Sequence, residues 1–497
     1  MQNSNVKVIN WMRTVPVNAS VYVEPSSVSE IQMIIRNEDM FPSPVRPAGR
    51  ILSPSCISSN EGGTTISTAN LTNIYGVKRV IPGRDLTAIS CIDCEPGVTL
   101  RELQIYANKN GLEIPFSAEI GSATVGGTCF AVTKDSSIGE HPLKGMGLGD
   151  MASMLWSVNV VEDDGEVHEY CIFDGNGSYD CHFQNLLDSY GVTCIAVRMM
   201  IVARPKTPLT TIIDISHFQW RNEDVCNKKF DQIYQDWLKI SSKHGNVLLS
   251  ISLNSNMILL EHRLVGKTLF APFSTVLAKY YTWKKKRVLQ RGGDYPFILK
   301  ILSNKLLKNS VFTRFHQQSR SPGNHYDMDI PRDTPKLSFT NVAFPIEKFQ
   351  EVMTGMLGFT REYEATYNYK PKMVATYIVK LSGIRAAGPY SIKSSHVFFF
   401  DPTTDNPKDA RFMRYVKAFN VHVKLLGGKP SLNQTLCLET DPTFGATALS
   451  IQPSSRFETE WLKRFTPFVS AKKRLEASSS KANAIAPCSF ADNSRYE

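Results

Sequence analysis

The chain has no run of about 18 apolar residues, so no membrane-spanning helix is expected. Its opening stretch, Met1 to Arg13, has neither the apolar core nor the small-residue cleavage site of a secretory leader, and a cytoplasmic location is the expectation. The ten histidines form no H-x-x-x-H pair and no cluster, so no metal site is predicted. Ten cysteines lie at irregular spacings, which reads as free buried thiols rather than a disulfide framework. Cys91-Ile-Asp-Cys94 has the C-x-x-C spacing. It has no second pair, however, and it falls in Leu86 to Glu95, which alternates as a strand does, so its expected role is structural. Gly145-Met-Gly147-Leu-Gly149-Asp150 lacks the preceding strand and the third glycine of a dinucleotide fingerprint, which argues against a Rossmann domain. No internal repeat is visible.

What the chain does have is length, a positive charge and a succession of short elements. At 497 residues it is too long for a single core. The net charge of +10 is dispersed, apart from Lys284 to Arg287 and Lys300 to Lys308, which read as a solvated helical surface. No nucleic-acid-binding motif accompanies them, so no nucleic-acid partner is expected. Helices are predicted from Ser26 to Arg36, where Glu30 can close a capping box, and from Thr99 to Asn110, with Leu100, Leu103, Ile105 and Tyr106 as the apolar face and Gly111 beyond the end. Strands are predicted near Val45 to Pro47, Thr64 to Ser67, Leu86 to Glu95 and Cys194 to Val202, with a hairpin of Met154 to Val161 and Glu166 to Tyr170. Past residue 208 the pattern gives strands Leu209 to Ser216, Val247 to Ile251, Met257 to Glu261, Ser338 to Phe344, Val374 to Lys380 and Ser395 to Phe400. Helices are placed at Phe230 to Ile240, Ile346 to Gly358 and Asp409 to Leu426, and a polar loop at 316–336.

The chemistry-bearing cluster lies in the first 200 residues. Gly49-Arg50-Ile51-Leu52-Ser53-Pro54 follows a short apolar strand, an arrangement that lets backbone N–H groups approach a phosphate. Gly121-Ser122-Ala123-Thr124-Val125-Gly126-Gly127 permits close backbone approach and offers hydroxyl donors, and Thr133-Lys134-Asp135-Ser136-Ser137 follows it. Plain turns can also use such glycines and serines. Around these pieces stand Val21 to Ser26, Arg46 to Gly49, Leu71 to Ile74, Cys94 to Thr99, Gly111 to Pro115, Asp163 to Glu166 and Ser189 to Thr193. That order, over about residues 15–206, resembles the FAD-binding domain of the vanillyl-alcohol oxidase family. Gly427-Gly428-Lys429-Pro430 after a helix is similar to a Gly-Gly-Arg-Pro segment of its sugar-lactone (arabinono-lactone) and alditol oxidases.

The resemblance implies an α+β protein. A PCMH-type FAD-binding domain of two subdomains would span 1–207, and a substrate or cap domain with an antiparallel sheet and flanking helices 208–474. Residues 475–497 are expected to be a disordered tail. It further implies that Gly49, Arg50, Ile51, Leu52, Ser53 and Pro54 hold the pyrophosphate. Ser122, Thr124, Gly126 and Gly127 would contact the diphosphate and flavin, Thr133, Asp135 and Ser136 would lie near the flavin, and Ile195 beside the adenine. FAD would accept a hydride from a small alcohol, sugar or lactone, and oxygen or another acceptor would take the electrons.

Four positions depart from the family pattern. Leu52 stands where many relatives have a flavin-linking histidine, and no cysteine lies at the second attachment point, so non-covalent FAD is expected. Ser431, Leu432, Asn433 and Gln434 replace a His-Trp-x-Lys segment. The strand Val374 to Lys380 has no Glu-x-Arg pair, and Thr133-Lys134 replaces a Thr-His pair. Beside an active oxidoreductase two readings stay open: a flavin-binding protein that has lost turnover and serves as an interaction protein, which these departures favour, and a basic binding module for an anionic partner that holds no flavin. The catalytic candidates by position are Lys134, Lys380 and Arg385, with His396 beside them. Lys134 stands foremost among them because it lies inside the flavin-proximal motif.

Overall fold

The computed structural model describes residues 2–10, 16–55, 62–81, 88–116, 121–131, 133–134, 138–143, 146–173, 180, 183, 186, 189–207, 209–266, 314–319, 338–380, 392, 394–431 and 433–437. Asp135, Ser136, Arg385, the two basic stretches and the 475–497 tail lie outside them. Among the described residues the strands form three sheets.

The first sheet has the order Gln2–Ile9, Pro16–Val23, Thr64–Ser67, Val45–Ala48, with both pairings of Thr64–Ser67 parallel. Helix α1 (Val28–Arg36) makes the crossover between them. Ser27 Oγ accepts the Glu30 N–H, and the Glu30 carboxylate accepts the Ser26 N–H at 2.7 Å, so two orphan donors are satisfied at once. Ile31, Ile34 and Ile35 are buried beneath it. The strand Gln2–Ile9 was not anticipated. Its polar residues signal nothing, and its pairing with Pro16–Val23 is a tertiary choice.

The second sheet runs Ile74–Val80, Ile89–Cys94, Ile195–Pro205, Leu155–Val161, Val167–Cys171, all antiparallel, with Leu112–Glu113 on Ile195–Pro205. Helix α2 (Leu100–Lys109) starts with a full capping box between Thr99 and Glu102, and Gly111 follows its end at φ 75°. Its buried face is Leu100, Leu103, Gln104 and Ala107, whereas Ile105 is 48% exposed. A polar residue takes a core position because Gln104 Oε1 accepts the Ile114 N–H at 3.1 Å. The short helix α3 (Val125–Phe130) is capped by Thr124.

The third sheet is antiparallel throughout, in the order Arg314–Ser319, Leu209–His217, Met257–Val265, Asn246–Ser252, Met373–Lys380, His396–Thr404, Val342–Pro345, Lys429–Pro430. Residues 314–319 are therefore strand where the sequence reads as loop from 316. Helices α4 (Glu223–Ser241), α5 (Phe349–Tyr367) and α6 (Ala410–Leu425) belong to this half. They bury Val247, Leu249, Ile251, Ile258, Leu260, Val374, Ile378, Phe398 and Phe400 against Phe230, Trp237, Phe349 and Phe419. Because side chains alternate along a strand, the neighbours Leu248, Glu261, Tyr377, Phe399 and Asp401 belong to the opposite face. That face meets the first two sheets. Gly149 N–H donates to Lys380 O at 3.1 Å, and Gly139 N–H donates to His244 O at 2.6 Å.

Candidate cofactor and substrate site

Two loops adjoin at the end of the first sheet. Gly49 leaves the strand Val45–Ala48 so close to Thr124 that an added Cβ would sit 2.2 Å from Thr124 Oγ1. Gly126 packs as tightly on Pro96, where a Cβ would be 2.7 Å from Pro96 Cβ. Arg46 is buried and anchors the strand behind the loop, donating to Tyr190 O at 2.7 Å and Gly191 O at 3.2 Å. Ile51 turns the chain at φ 53°. Among the described residues, the N–H groups of Arg50, Ile51, Leu52 and Ser53 have no protein acceptor. Successive N–H groups around a left-handed residue make an anion-binding concavity. In the second loop the Ser122 hydroxyl is enclosed and has no partner among the described residues. Orphan donors on two touching loops fit a diphosphate.

Other residues implied by the resemblance have different surroundings. The Val125 N–H donates to Val98 O at 2.8 Å, the Gly126 N–H to Pro96 O at 2.9 Å and the Gly127 N–H to Thr124 Oγ1 at 3.3 Å. Gly126 and Gly127 thus serve close packing, and their N–H groups are already used. Thr133 is half-buried, its N–H bonded to Thr128 O at 3.0 Å. Ile195 has no exposed surface and lies in an apolar core with Val161 and Val197, which leaves no side-chain face for an adenine.

Lys134 connects the two halves. Its buried ammonium donates to Asn341 Oδ1 at 3.2 Å and Ser431 Oγ at 3.0 Å and stands 4.2 Å from the Phe399 ring centre. Asn341 Nδ2 donates to the Tyr377 hydroxyl at 3.1 Å and Gln434 Oε1 at 2.8 Å, so one side chain fixes both Lys134 and Tyr377. Tyr377 stacks on Phe399 with ring centres 5.0 Å apart. The segment after Lys429–Pro430 closes the arrangement. Ser431 Oγ donates to Asn433 Oδ1 at 2.5 Å, and Asn433 O accepts from Ser53 Oγ of the phosphate-side loop at 2.8 Å.

Two groups on the same sheet face escaped the sequence reading. Asp401 is 8% exposed, and burial pushes its carboxyl up to about 8, against the pull of the Lys134 ammonium and the Asn341 amide. A lone acid ending an aromatic run, Phe398-Phe399-Phe400-Asp401, was the available signal. The other is a Glu-x-Arg pair, Glu261 and Arg263, with the Arg263 guanidinium 3.5 Å from the Glu261 carboxylate. The row Phe399, Tyr377, Leu248, Glu261 runs partner to partner across the sheet, so Glu261 lies about 10 Å from Tyr377.

Lys380 and His396 are not part of this cluster. They pair with each other across strands, an odd number of residues from Tyr377 and Phe399, and so belong to the helix-covered face. His396 meets Trp237 of α4 edge-on at 5.2 Å. Burial lowers its pKa from the ordinary imidazole value, with the Lys380 charge adding to the shift. Among the described residues no group of side chains suits a metal ion, and no helix is long and apolar enough to cross a membrane.

A family model described as an FAD binding domain matches residues 19–170, which include both loops and Lys134. No curated protein matches the sequence. Solved structures do. A variant of cholesterol oxidase from Brevibacterium sterolicum aligns over 94% of this chain and 98% of its own, with TM-score 0.67 and 11% identity. Cholesterol oxidase from B. sterolicum itself gives 0.65 at 11% identity, over 94% of this chain and 97% of its own. A solvent-stable cholesterol oxidase gives 0.60 at 15% identity, over 87% of each chain. The chain has a PCMH-type FAD-binding fold. At these identities the structural likeness is one of fold. The domain match adds that residues 19–170 are those of an FAD-binding domain.

Proposed function

We propose that the protein oxidises an alcohol to a carbonyl compound, using FAD held non-covalently between the two loops and the helix-free face of the large sheet. The observation that carries this reading is Lys134, a buried cation from the FAD-binding half, fixed by Asn341 and Ser431 of the other half. Bound FAD supplies a two-electron hydride acceptor. The loops orient it, and Leu52, at the attachment position of relatives, has no nucleophile to link it covalently. Lys134 sets a positive charge where negative charge develops on the substrate oxygen, in a site closed to water where such a charge acts strongly.

The sheet face also bears on the substrate. Phe399, Tyr377, Leu248, Leu259 and Ala375 line it near Lys134, and the Glu261–Arg263 pair lies farther off, two strands from Tyr377. This supports an alcohol with an apolar body over the sugar or lactone that the resemblance suggests. Cholesterol, after which the similar enzymes are named, heads the apolar arm of a screen, with a sugar lactone and an alditol as the polar arm. FAD-loaded protein mixed anaerobically with each compound is expected to lose its yellow colour fastest with an apolar alcohol. Admitting air then shows whether oxygen is the acceptor.

A second reading rests on Ser431 to Gln434, which carries no ionisable group: a flavin-binding interaction protein without turnover. It predicts bound FAD that no alcohol bleaches, an outcome that contradicts the first reading.

A further inference from the structure

We propose that Asp401 is the proton acceptor of this site, the group that takes the hydroxyl proton of the alcohol. The proposal rests on the alcohol-oxidising reading above and names the residue that completes it.

Comparison with the other buried carboxylates sets Asp401 apart. Asp93 is held by Arg198, Glu113 by Arg204, and Glu261 is paired with Arg263. Glu95 accepts from the Asn73 N–H and the Tyr75 hydroxyl, while Asp150 and Asp180 cap the N–H groups of Ser153 and Phe183. Each of these is explained by the fold. Asp401 Oδ1, like Glu113 Oε2, is enclosed and has no hydrogen-bond partner among the described residues; but where Glu113 is paired with Arg204, the charge that faces Asp401 is the Lys134 ammonium of the site. A carboxyl so placed costs stability, and a residue without charge would cost less.

Its position gives it a use. Asp401 shares the helix-free face with Phe399, the ring beneath the Lys134 ammonium. Its cross-strand neighbour is Ala375, and the next in that row is Ser250, both of them small side chains. The groups that face it are the Lys134 ammonium from the FAD-binding half and the Asn341 amide, with the Tyr377 phenol on the neighbouring strand. An alcohol hydroxyl lodged between Lys134 and Asp401 meets a cation on one side and a proton acceptor on the other.

The step balances as follows. The O–H bond breaks and its proton passes to Asp401 Oδ1. The O–H electron pair becomes the second bond of the carbonyl, and the C–H pair leaves as hydride to the flavin. The alcohol is oxidised by two electrons, the flavin is reduced by two, and Asp401 later returns its proton to solvent. Burial raises this carboxyl to about 8, which makes it a stronger base than an ordinary aspartate and puts its titration in the working pH range.

The test compares wild type, Asp401→Asn and Asp401→Glu, all loaded with FAD, using the alcohol that bleaches the wild type fastest. Asp401→Asn is expected to lower kcat by about 100-fold or more with KM changed only a few-fold, and to abolish the limb of the rate profile that rises as pH passes about 8. Asp401→Glu should keep the limb at reduced rate. A second measurement needs no turnover. In an infrared titration, the band of a buried protonated carboxyl should vanish as pH rises through about 8 in wild type and be missing in Asp401→Asn. Wild-type turnover with an unchanged limb in Asp401→Asn, or an infrared titration identical in both proteins, overturns the proposal alone. FAD-loaded wild type that no alcohol bleaches overturns the alcohol reading and the proposal with it.

Discussion

Lys134 is the residue on which the two halves converge, and its environment shows how much of a site a motif can carry. The sequence marks it because it lies directly after the second glycine loop. The partners that fix it, Asn341 and Ser431, are more than 200 positions away and carry no motif. Replacing Lys134 by Met keeps much of the side-chain volume and removes the charge. Turnover is predicted to fall by about 100-fold with FAD still bound, the size of effect seen when one charge-stabilising donor is removed; unchanged turnover contradicts the role given to it.

Gly49 makes a second case at this scale. Gly49→Val would drive side-chain atoms into Thr124, whose Oγ1 would lie 2.2 Å from the new Cβ. It is expected to weaken FAD binding by at least about tenfold, read as the Kd for FAD added back to flavin-free protein. Asp401 adds a pH signature to stability. Its folded-state pKa, about 8, stands above the ordinary 3.8, so the stability it contributes is complete below about 3.8 and is lost as pH rises through about 8. The gain in Tm from Asp401→Asn should therefore be absent near pH 4, grow with pH and level off above about 8. A gain independent of pH contradicts a buried, titrating carboxyl.

At the scale of elements, local chemistry was the legible part. The starts of α1 and α2 follow from Ser27 with Glu30 and Thr99 with Glu102, because a cap is decided by residues three apart. Thr99→Ala is predicted to cost about 1 kcal/mol, measured by denaturant unfolding. What the sequence hid was decided between elements. Ile105 looks like core by type, but Gln104 holds the buried position through the Ile114 N–H. Residues 314–319 look like loop and become strand only because Leu209–His217 offers an edge. Lys380 was a candidate by its place on a strand, yet strand alternation puts it on the helix-covered face, three residues and the wrong parity from Tyr377. Glu261-x-Arg263 lies on Met257–Val265, two strands away in the sheet from Met373–Lys380, and only the strand order brings it to the face of Tyr377.

At the scale of the molecule, the two halves are held by a few contacts of different kinds. Arg204 ties Glu113 at 2.8 Å and also donates to Glu140 O at 2.6 Å, holding the segment whose Gly139 N–H reaches His244 O. Gly149 lies flat against Met373–Lys380, where a Cβ would come within 2.2 Å of Val379 Cγ1 and 2.5 Å of Lys380 O. Gly149→Val is accordingly expected to spread the halves and speed FAD release several-fold, followed by the flavin fluorescence that appears as FAD leaves; unchanged release places the cofactor elsewhere.

The central claim, FAD bound without a covalent link between these halves, is tested most directly by one visible absorbance spectrum of the purified protein, taken before and after acid precipitation. The account predicts oxidised-flavin bands that pass entirely into the acid supernatant. Bands that stay with the precipitate contradict the non-covalent link, and a colourless protein that takes up no added FAD contradicts the cofactor itself.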